Sequence, residues 1–307
     1  MRSHIGASLV GRISRSLPAR RWQFAYWLGK LLVPTRPFVG RFCTGHFEIQ
    51  PDDAASTGTF FTGFYEREVT MWCLNQLRTN PPTTLIDIGA NFGYYPLLFG
   101  LQSGGRVRSI AFEPEPSNYA WLLRNIALNP SLDITAVNSA VGDTDQGTVP
   151  FATAEPGRQL FAGVIHPLTA TTNHVTVNVP QTTVDSYLDQ YPIERSSLVM
   201  IDVEGYEQKV VDGMSRSIDR RAFQNVILEF HPWAFADPEK TLTHIVRRFE
   251  SAGYHGARFR EEGLPKSDKD PAFYRLAWQD SVLGPVDCKQ RGAWEHYVFT
   301  LQGSSAV

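Results

Sequence analysis

The chain has little cysteine, and what it has is scattered: Cys43, Cys73 and Cys288 are the only three in 307 residues. An odd, widely spaced set builds no disulfide framework, and with no C-x-x-C pair there is no zinc signature. A reducing, cytoplasmic compartment fits this usage. Long apolar runs are missing too. Residues 9–33 mix Leu, Ile, Trp, Phe and Tyr with Arg and Lys, so they contain no span of about 20 apolar residues to cross a bilayer. They also lack the uninterrupted apolar centre and small-residue cleavage site of a secretory signal. No repeat or low-complexity tract stands out. A formal net charge of -2 excludes a chain built as a whole to grip nucleic acid, so no nucleic-acid partner is expected.

One absence is local. The first 47 residues contain no Asp or Glu but eight basic residues: Arg2, Arg12, Arg15, Arg20, Arg21, Lys30, Arg36 and Arg41. The rest of the chain keeps 21 of the 29 Lys and Arg against all 31 Asp and Glu. This is a basic head on an acidic body. Residues 1–47 read as a helical arm, closed by Pro34 and Pro37. It packs as a cap on the main domain, touches an anionic membrane surface, or serves as a targeting or loose tail; all three stay open. The main domain is expected over 48–307.

What is present is a strand–helix alternation. A short strand pair is expected within 42–62, and a helix over 63–77, where Val69, Trp72, Cys73 and Leu77 form a stripe. Strands follow at 84–88, 107–112, 134–139, 197–201 and 226–230. Helices are expected at 94–102, 117–129, 206–218 and 238–252. Such units imply a parallel sheet with helices on both faces, an α/β Rossmann-like architecture. Residues 147–179 break the rhythm with β-prone pieces separated by Thr and Gly, and read as a β insertion. Residues 294–301 offer a last strand, and the assignment is weaker over 237–307.

In open parallel sheets ligands sit beyond the carboxyl ends of the strands. The notable polar residues fall there in series: Asp87, Glu113, Asp143, Asp202 with Glu204, and Glu229 with His231. The turn after the first strand reads Gly89-Ala90-Asn91-Phe92-Gly93. A dinucleotide turn wants G-x-G-x-x-G, with its second Gly letting the backbone approach pyrophosphate. Asn91 stands in that place, and Asp87 would face phosphate unfavourably. A sulfonium cofactor carries a positive centre and no phosphate, so nearby acids suit it. Glu113, 24 residues after Gly89, is placed for ribose hydroxyls in either case.

These stretches resemble the FkbM-type methyltransferases. The matching segments are 63–70 (GFYEREVT), 85–95 (LIDIGANFGYY), 111–129, 136–143, 182–188 (TTVDSYL), 199–213 (VMIDVEGYEQKVVDG) and 226–232 (VILEFHP). They span about half the chain and leave out the arm and everything after Asp237. The resemblance implies a seven-stranded class I methyltransferase sheet with S-adenosylmethionine as cofactor. It implies a hydroxyl on a sugar, glycan or related natural product as acceptor. By position, Asp87, Gly89, Asn91 and Gly93 would line the methionine and ribose part. Glu113 would hold the ribose, Asp143 would lie near the adenine amino group, and Asp202 would sit beside the transferred methyl.

Methyl transfer to an alcohol is helped by a general base. The candidates are Asp202 by family position, His231 by its ordinary pKa, Glu204 and Glu229. Glu204 could instead favour the start of the next helix. Tyr65 and Glu66 could close over the cofactor, and Trp233, Phe235, Trp278 and Trp294 could stack on a sugar face. Nothing in the spacing demands a metal, and none is assigned. Two other readings stay open: an NAD-type oxidoreductase, and a non-catalytic binding module of methyltransferase-like fold. The oligomeric state is open as well.

Overall fold

The computed structural model describes residues 34–145, 147–153, 163–164, 175–194, 197–260, 282–289 and 295–302. The expected arm helix over 9–33 and the polar stretch 261–270 lie outside these residues. Among the described residues, no helix is long and apolar enough to cross a membrane.

The described chain opens with an antiparallel hairpin, β1 (Phe38–Phe42) and β2 (Gly45–Ile49). Its alternation is plain: Phe38, Phe42, Phe47 and Ile49 are buried, while Val39 and Arg41 are exposed. The strand pair expected within 42–62 therefore lies earlier. Helix α1 (Ala54–Thr62) occupies the remainder, started by Asp53 accepting from the Ser56 N–H at 2.6 Å and ended by left-handed Gly63. A boundary drawn after Phe47 falls inside β2. Side chains between residues 121 and 129 stitch this hairpin down: Asn129 bonds both backbone groups of His46, and Asn125 and Trp121 take the N–H and carbonyl of Glu48.

Next come α2 (Arg67–Thr79), β3 (Thr84–Ile88), α3 (Tyr94–Gln102), β4 (Arg108–Phe112), α4 (Pro116–Ala127) and β5 (Ile134–Val137). The ribbon follows as β6 (Ala140–Val141), β7 (Thr148–Thr153), β8 (Gly163–Val164) and β9 (Val175–Thr182), in a sheet ordered β6-β9-β7-β8. The β insertion thus stands beside the main sheet. Then come α5 (Val184–Gln190), β10 (Ser197–Ile201), α6 (Glu207–Asp212), α7 (Ser215–Asp219), β11 (Asn225–Phe230), α8 (Pro238–Ser251), β12 (Tyr254–Arg260), β13 (Val282–Pro285) and β14 (Glu295–Leu301).

The main sheet has the order β13-β12-β14-β11-β10-β3-β4-β5. Strands β5, β4, β3, β10 and β11 are parallel, and β14 runs antiparallel to β11. The resemblance implies seven strands; the sheet has eight, because the short β13 pairs with the free edge of β12. Strands β12 and β13 were not expected at all. In β12, Tyr-His-Gly-Ala-Arg-Phe-Arg carries too few apolar residues to signal a strand.

Strands β3, β10 and β11 are buried at every position, as strands covered on both faces must be. Leu85, Leu198, Met200, Ile227 and Val298 point into one core, beneath the hairpin, α1, α2 and α3. Ile86, Ile110, Val199, Val226 and Phe299 point into the other, beneath α5 to α8. The single helix expected over 206–218 is two helices. They part at Gly213, where a Cβ would lie 1.8 Å from the Gly142 carbonyl oxygen. Asp185 then caps the second piece through the N–H groups of Arg216 and Ser217, both at 2.8 Å.

Candidate active site

Strand order reverses between β3 and β10, so their carboxyl ends open a crevice. The turn after β3 and the loop after β10 meet there. Gly89, at φ +91, is required by its neighbour: a Cβ would lie 1.7 Å from the Asp202 carbonyl oxygen. Glycine here lets two loops touch. Gly93, at φ +89, starts α3 in the left-handed region, which glycine adopts without strain.

Four amides of the turn have partners. The N–H groups of Gly89 and Ala90 donate to the Phe112 carbonyl at 3.0 and 2.9 Å, and that of Gly93 donates to Ala90. The Asn91 N–H donates to Glu113 Oε2 at 2.7 Å. Glu113 Oε1 accepts from the Glu115 N–H at 2.9 Å. The Asn118 side chain approaches the same carboxyl. Burial pushes the Glu113 carboxyl up to about 7, against the lowering pull of these two backbone amides. Burial likewise pushes Asp87 up to about 8, helped by the charges of Glu113 and Glu66.

Two cavities share this turn. The first is lined by Glu113, Asn118, Ser139, Val141, Glu204 and Tyr206 among others, the second by Glu66, Asp87, Tyr95, Glu229 and His296 among others; Gly89, Asn91 and Asp202 border both. Within this lining, Asn91 Oδ1, Asn118 Oδ1, Asp87 Oδ2 and Asp202 Oδ1 are buried without a hydrogen-bond partner. These four are acceptors, and His296 Nε2 in the second cavity is a fifth unpartnered atom. The site therefore suits a ligand that brings donors or positive charge.

Asp143 is set apart. It lies outside the lining of both cavities and pairs with Lys209 Nζ at 2.5 Å. Ser139, Ala140 and Val141 border the first cavity in its stead.

The ends of β10, β11 and β14 gather a charged cluster. His231 is 3% exposed, and its Nδ1 lies 2.6 Å from Glu207 Oε1. Its Nε2 faces Glu204 Oε2 at 3.4 Å and Glu229 Oε1 at 3.8 Å. Burial alone would lower the imidazole pKa, but Glu207 and then Glu204 and Glu229 outweigh it and raise it to about 9. His231 is therefore an imidazolium at neutral pH. The ordinary pKa that made His231 a candidate base beside Asp202 is thus displaced upward in this setting. Burial raises the Glu204 carboxyl to about 7, despite His231. Asp202 is held well above the usual range by burial and by Glu229. Burial would raise Glu229 too, but His296 and His231 prevail and lower it.

Glu207 and His296 went unnoticed in the sequence. Glu207 reads as an ordinary first-turn acid, yet it is fully buried and also accepts from the Gly205 N–H at 2.9 Å. His296 sits on a strand some 65 residues beyond Glu229, and only their cross-strand pairing joins them. Of the four aromatics considered for a sugar face, Trp278 and Trp294 lie outside the described residues. Phe235 stacks on Phe230 at 5.2 Å, and Trp233 is exposed, edge-on to His231.

The family profile described as the methyltransferase FkbM domain matches residues 87–255. The chain belongs to the FkbM methyltransferase family. A curated relative, methyltransferase sdnD of Sordaria araneosa, is 26% identical over 214 residues, covering 62% of this chain and 79% of that protein. Among solved structures, a methyltransferase FkbM from Methylobacillus flagellatus KT matches at 15% identity and a TM-score of 0.40, over 81% of this chain. The match covers 55% of that protein, so this chain spans about half its length. M. jannaschii TYW2 in complex with AdoMet matches at 10% identity and a TM-score of 0.39, covering 87% and 86% of the two chains. The matched part of this FkbM methyltransferase runs from Asp87 to His255 and so includes Glu113, Asp202, Glu204, Glu207, Glu229 and His231. Glu66 and His296 enter the cavities from outside it.

Proposed function

We propose that this methyltransferase takes its methyl group from S-adenosylmethionine and delivers it to a hydroxyl on a sugar, glycan or related natural product. The observation that carries the donor assignment is the turn itself. Its amides at Gly89, Ala90, Asn91 and Gly93 are all engaged, one of them by the Glu113 carboxylate. A pyrophosphate needs such amides free and acids distant. A sulfonium with ribose hydroxyls needs acceptors, and buried unpaired acceptors line both cavities. This disfavours an NAD-type oxidoreductase, and an intact acceptor set disfavours a non-catalytic module.

In this reading Glu113 holds the ribose hydroxyls. Asn91 and Asn118 face the nucleoside, and Asp87 and Asp202 face the positively charged end. Bound there, S-adenosylmethionine supplies an electrophilic methyl whose C–S electron pair stays on sulfur as the new C–O bond forms. Most of the rate comes from holding oxygen and methyl in line. Glu204 takes the hydroxyl proton, since its carboxyl lines the first cavity and titrates near neutrality. His231, fixed through Glu207, positions Glu204 and offsets the charge of the acids around it.

The oxygen acceptor rests on the family resemblance and on this acid cluster, which can receive a proton. Titration of purified protein with S-adenosylhomocysteine, with NAD as competitor, tests the donor. Saturable binding that NAD leaves untouched is expected; displacement by NAD sinks the assignment. Incubation with labelled methyl donor and a panel of glycosides and polyols tests the acceptor. Label resistant to esterase and base is expected of an ether.

A further inference from the structure

The second cavity holds a group of side chains that the methyl-transfer reading does not use. Glu66 stands at the entry to α2, Glu229 at the end of β11 and His296 at the start of β14. Glu229 and His296 are register partners on neighbouring antiparallel strands, so the sheet itself fixes them side by side. Glu66 comes from the opposite wall. Its backbone is held at φ +42, a conformation that L residues with side chains rarely adopt. Its Oε2 accepts from Tyr95 Oη at 2.5 Å, which turns Oε1 toward the histidine.

The distances are informative. His296 Nε2 lies 3.5 Å from Glu66 Oε1 and 3.6 Å from Glu229 Oε2. Burial would lower the His296 pKa, but both carboxylates form ion pairs with it and raise it well above the usual value. A close charge-assisted N–H···O bond measures about 2.7–2.9 Å, so both contacts are long. His296 Nε2 is buried and has no hydrogen-bond partner. Around a metal ion with bonds of about 2.0–2.2 Å, adjacent ligand atoms stand roughly 3–3.6 Å apart. The two His296 distances, 3.5 and 3.6 Å, fit that spacing, and the three residues offer ligand atoms within 4.8 Å of one another.

The surroundings agree. Asp87 and Asp202 line the same cavity, and among the described residues no Lys or Arg does. Asp87 is 3% exposed and its Oδ2 is unpartnered. Four acids thus gather at this cavity with His296, and His231 lies beside Glu229 from outside its lining.

We propose that Glu66, Glu229 and His296 form a site for a divalent first-row transition-metal cation. The mixed imidazole and carboxylate set suits Mn²⁺, Fe²⁺ or Zn²⁺ better than Mg²⁺ or Ca²⁺. The cation ties the start of α2 to the sheet. It also sits in the cavity that Asp202 borders, where a hydroxyl could become a further ligand and be acidified. That consequence rests on the oxygen-acceptor reading; the site itself does not.

The test uses Mn²⁺, which three free thiols do not attract strongly. Full-length protein stripped with chelator is titrated with Mn²⁺ alone, followed by electron paramagnetic resonance. One equivalent is expected to bind, with the ¹⁴N coupling of a directly bonded imidazole. His296→Gln should abolish that coupling and weaken binding at least tenfold. Glu66→Gln should weaken binding similarly while the coupling stays. If no stoichiometric Mn²⁺ binds, or if the coupling survives His296→Gln, or if Glu66→Gln binds at full affinity, the proposal fails. No methyl donor is needed, so such a failure leaves the methyl-transfer reading untouched.

Discussion

The two sides of the crevice are built differently. On the β3–β4 side, Asp87, Gly89, Asn91 and Glu113 come from 27 consecutive residues, and backbone amides hold their shape. On the β10–β11–β14 side, Asp202, Glu207, Glu229, His231 and His296 come from residues nearly a hundred positions apart. There the side chains hold one another through charge. The first side is a preformed cradle whose order is local. The second is an electrostatic balance in which each group's protonation depends on its neighbours.

The contrast can be broken at the point where the sides touch. Gly89→Ala puts a Cβ against the Asp202 carbonyl in a backbone conformation that alanine resists. A loss of more than about 4 kcal/mol is expected in urea denaturation followed by circular dichroism. A loss under about 1 kcal/mol would show that the loops part freely, and that the two sides are independent.

On the charged side, Glu207→Ala leaves His231 buried without its closest partner. The expected cost is about 3–4 kcal/mol by the same measurement. His231→Ala in the same background should cost much less than it does alone, because the two act as a pair. Additive losses would deny the coupling that distinguishes this side.

On the cradle side the effect is read through pH. Glu113 titrates near its ordinary value of 4.5 when unfolded, and burial pushes it up to about 7 when folded. Between those values the folded protein binds more protons, so stability falls as pH rises, by about 3 kcal/mol in all for this group. Asp87 adds a fall of the same sign, between 3.8 and about 8. Melting of the ligand-free protein from pH 4.5 to 7 should show this decline, and Glu113→Gln should flatten its share. An unchanged slope in the variant would mean that Glu113 is not held neutral.

The smallest effect belongs to Asp143, an expected cofactor contact that, like Gly93, lies outside the lining of both cavities. Its ion pair with Lys209 is half-exposed on the lysine side. Asp143→Asn should change stability by less than about 1 kcal/mol and leave S-adenosylhomocysteine affinity within a factor of two. A tenfold loss would return Asp143 to the adenine end of the site.

These cases also show which features could be read in advance. The parallel strands announced themselves because burial on both faces demands unbroken apolar runs, as in Leu85-Ile86 and Leu198–Ile201. Strand β12 did not, because a strand near the sheet edge tolerates His255, Arg258 and Arg260. The hairpin was displaced by some residues for a similar reason: Asp53 as a helix cap and Gly63 as its stop fit a turn-rich loop equally well in the sequence.

What the sequence by itself determined was the α/β alternation, the turn at residues 85–93 with Asn91 in place of a second glycine, and membership in a methyltransferase family. All of these depend on contacts between near neighbours, which spacing reports directly. The tertiary structure alone decided the protonation of His231, the exclusion of Asp143, and the convergence of Glu66, Glu229 and His296. Each of these is set by which charges burial brings within a few ångströms, and chain separation carries no record of that.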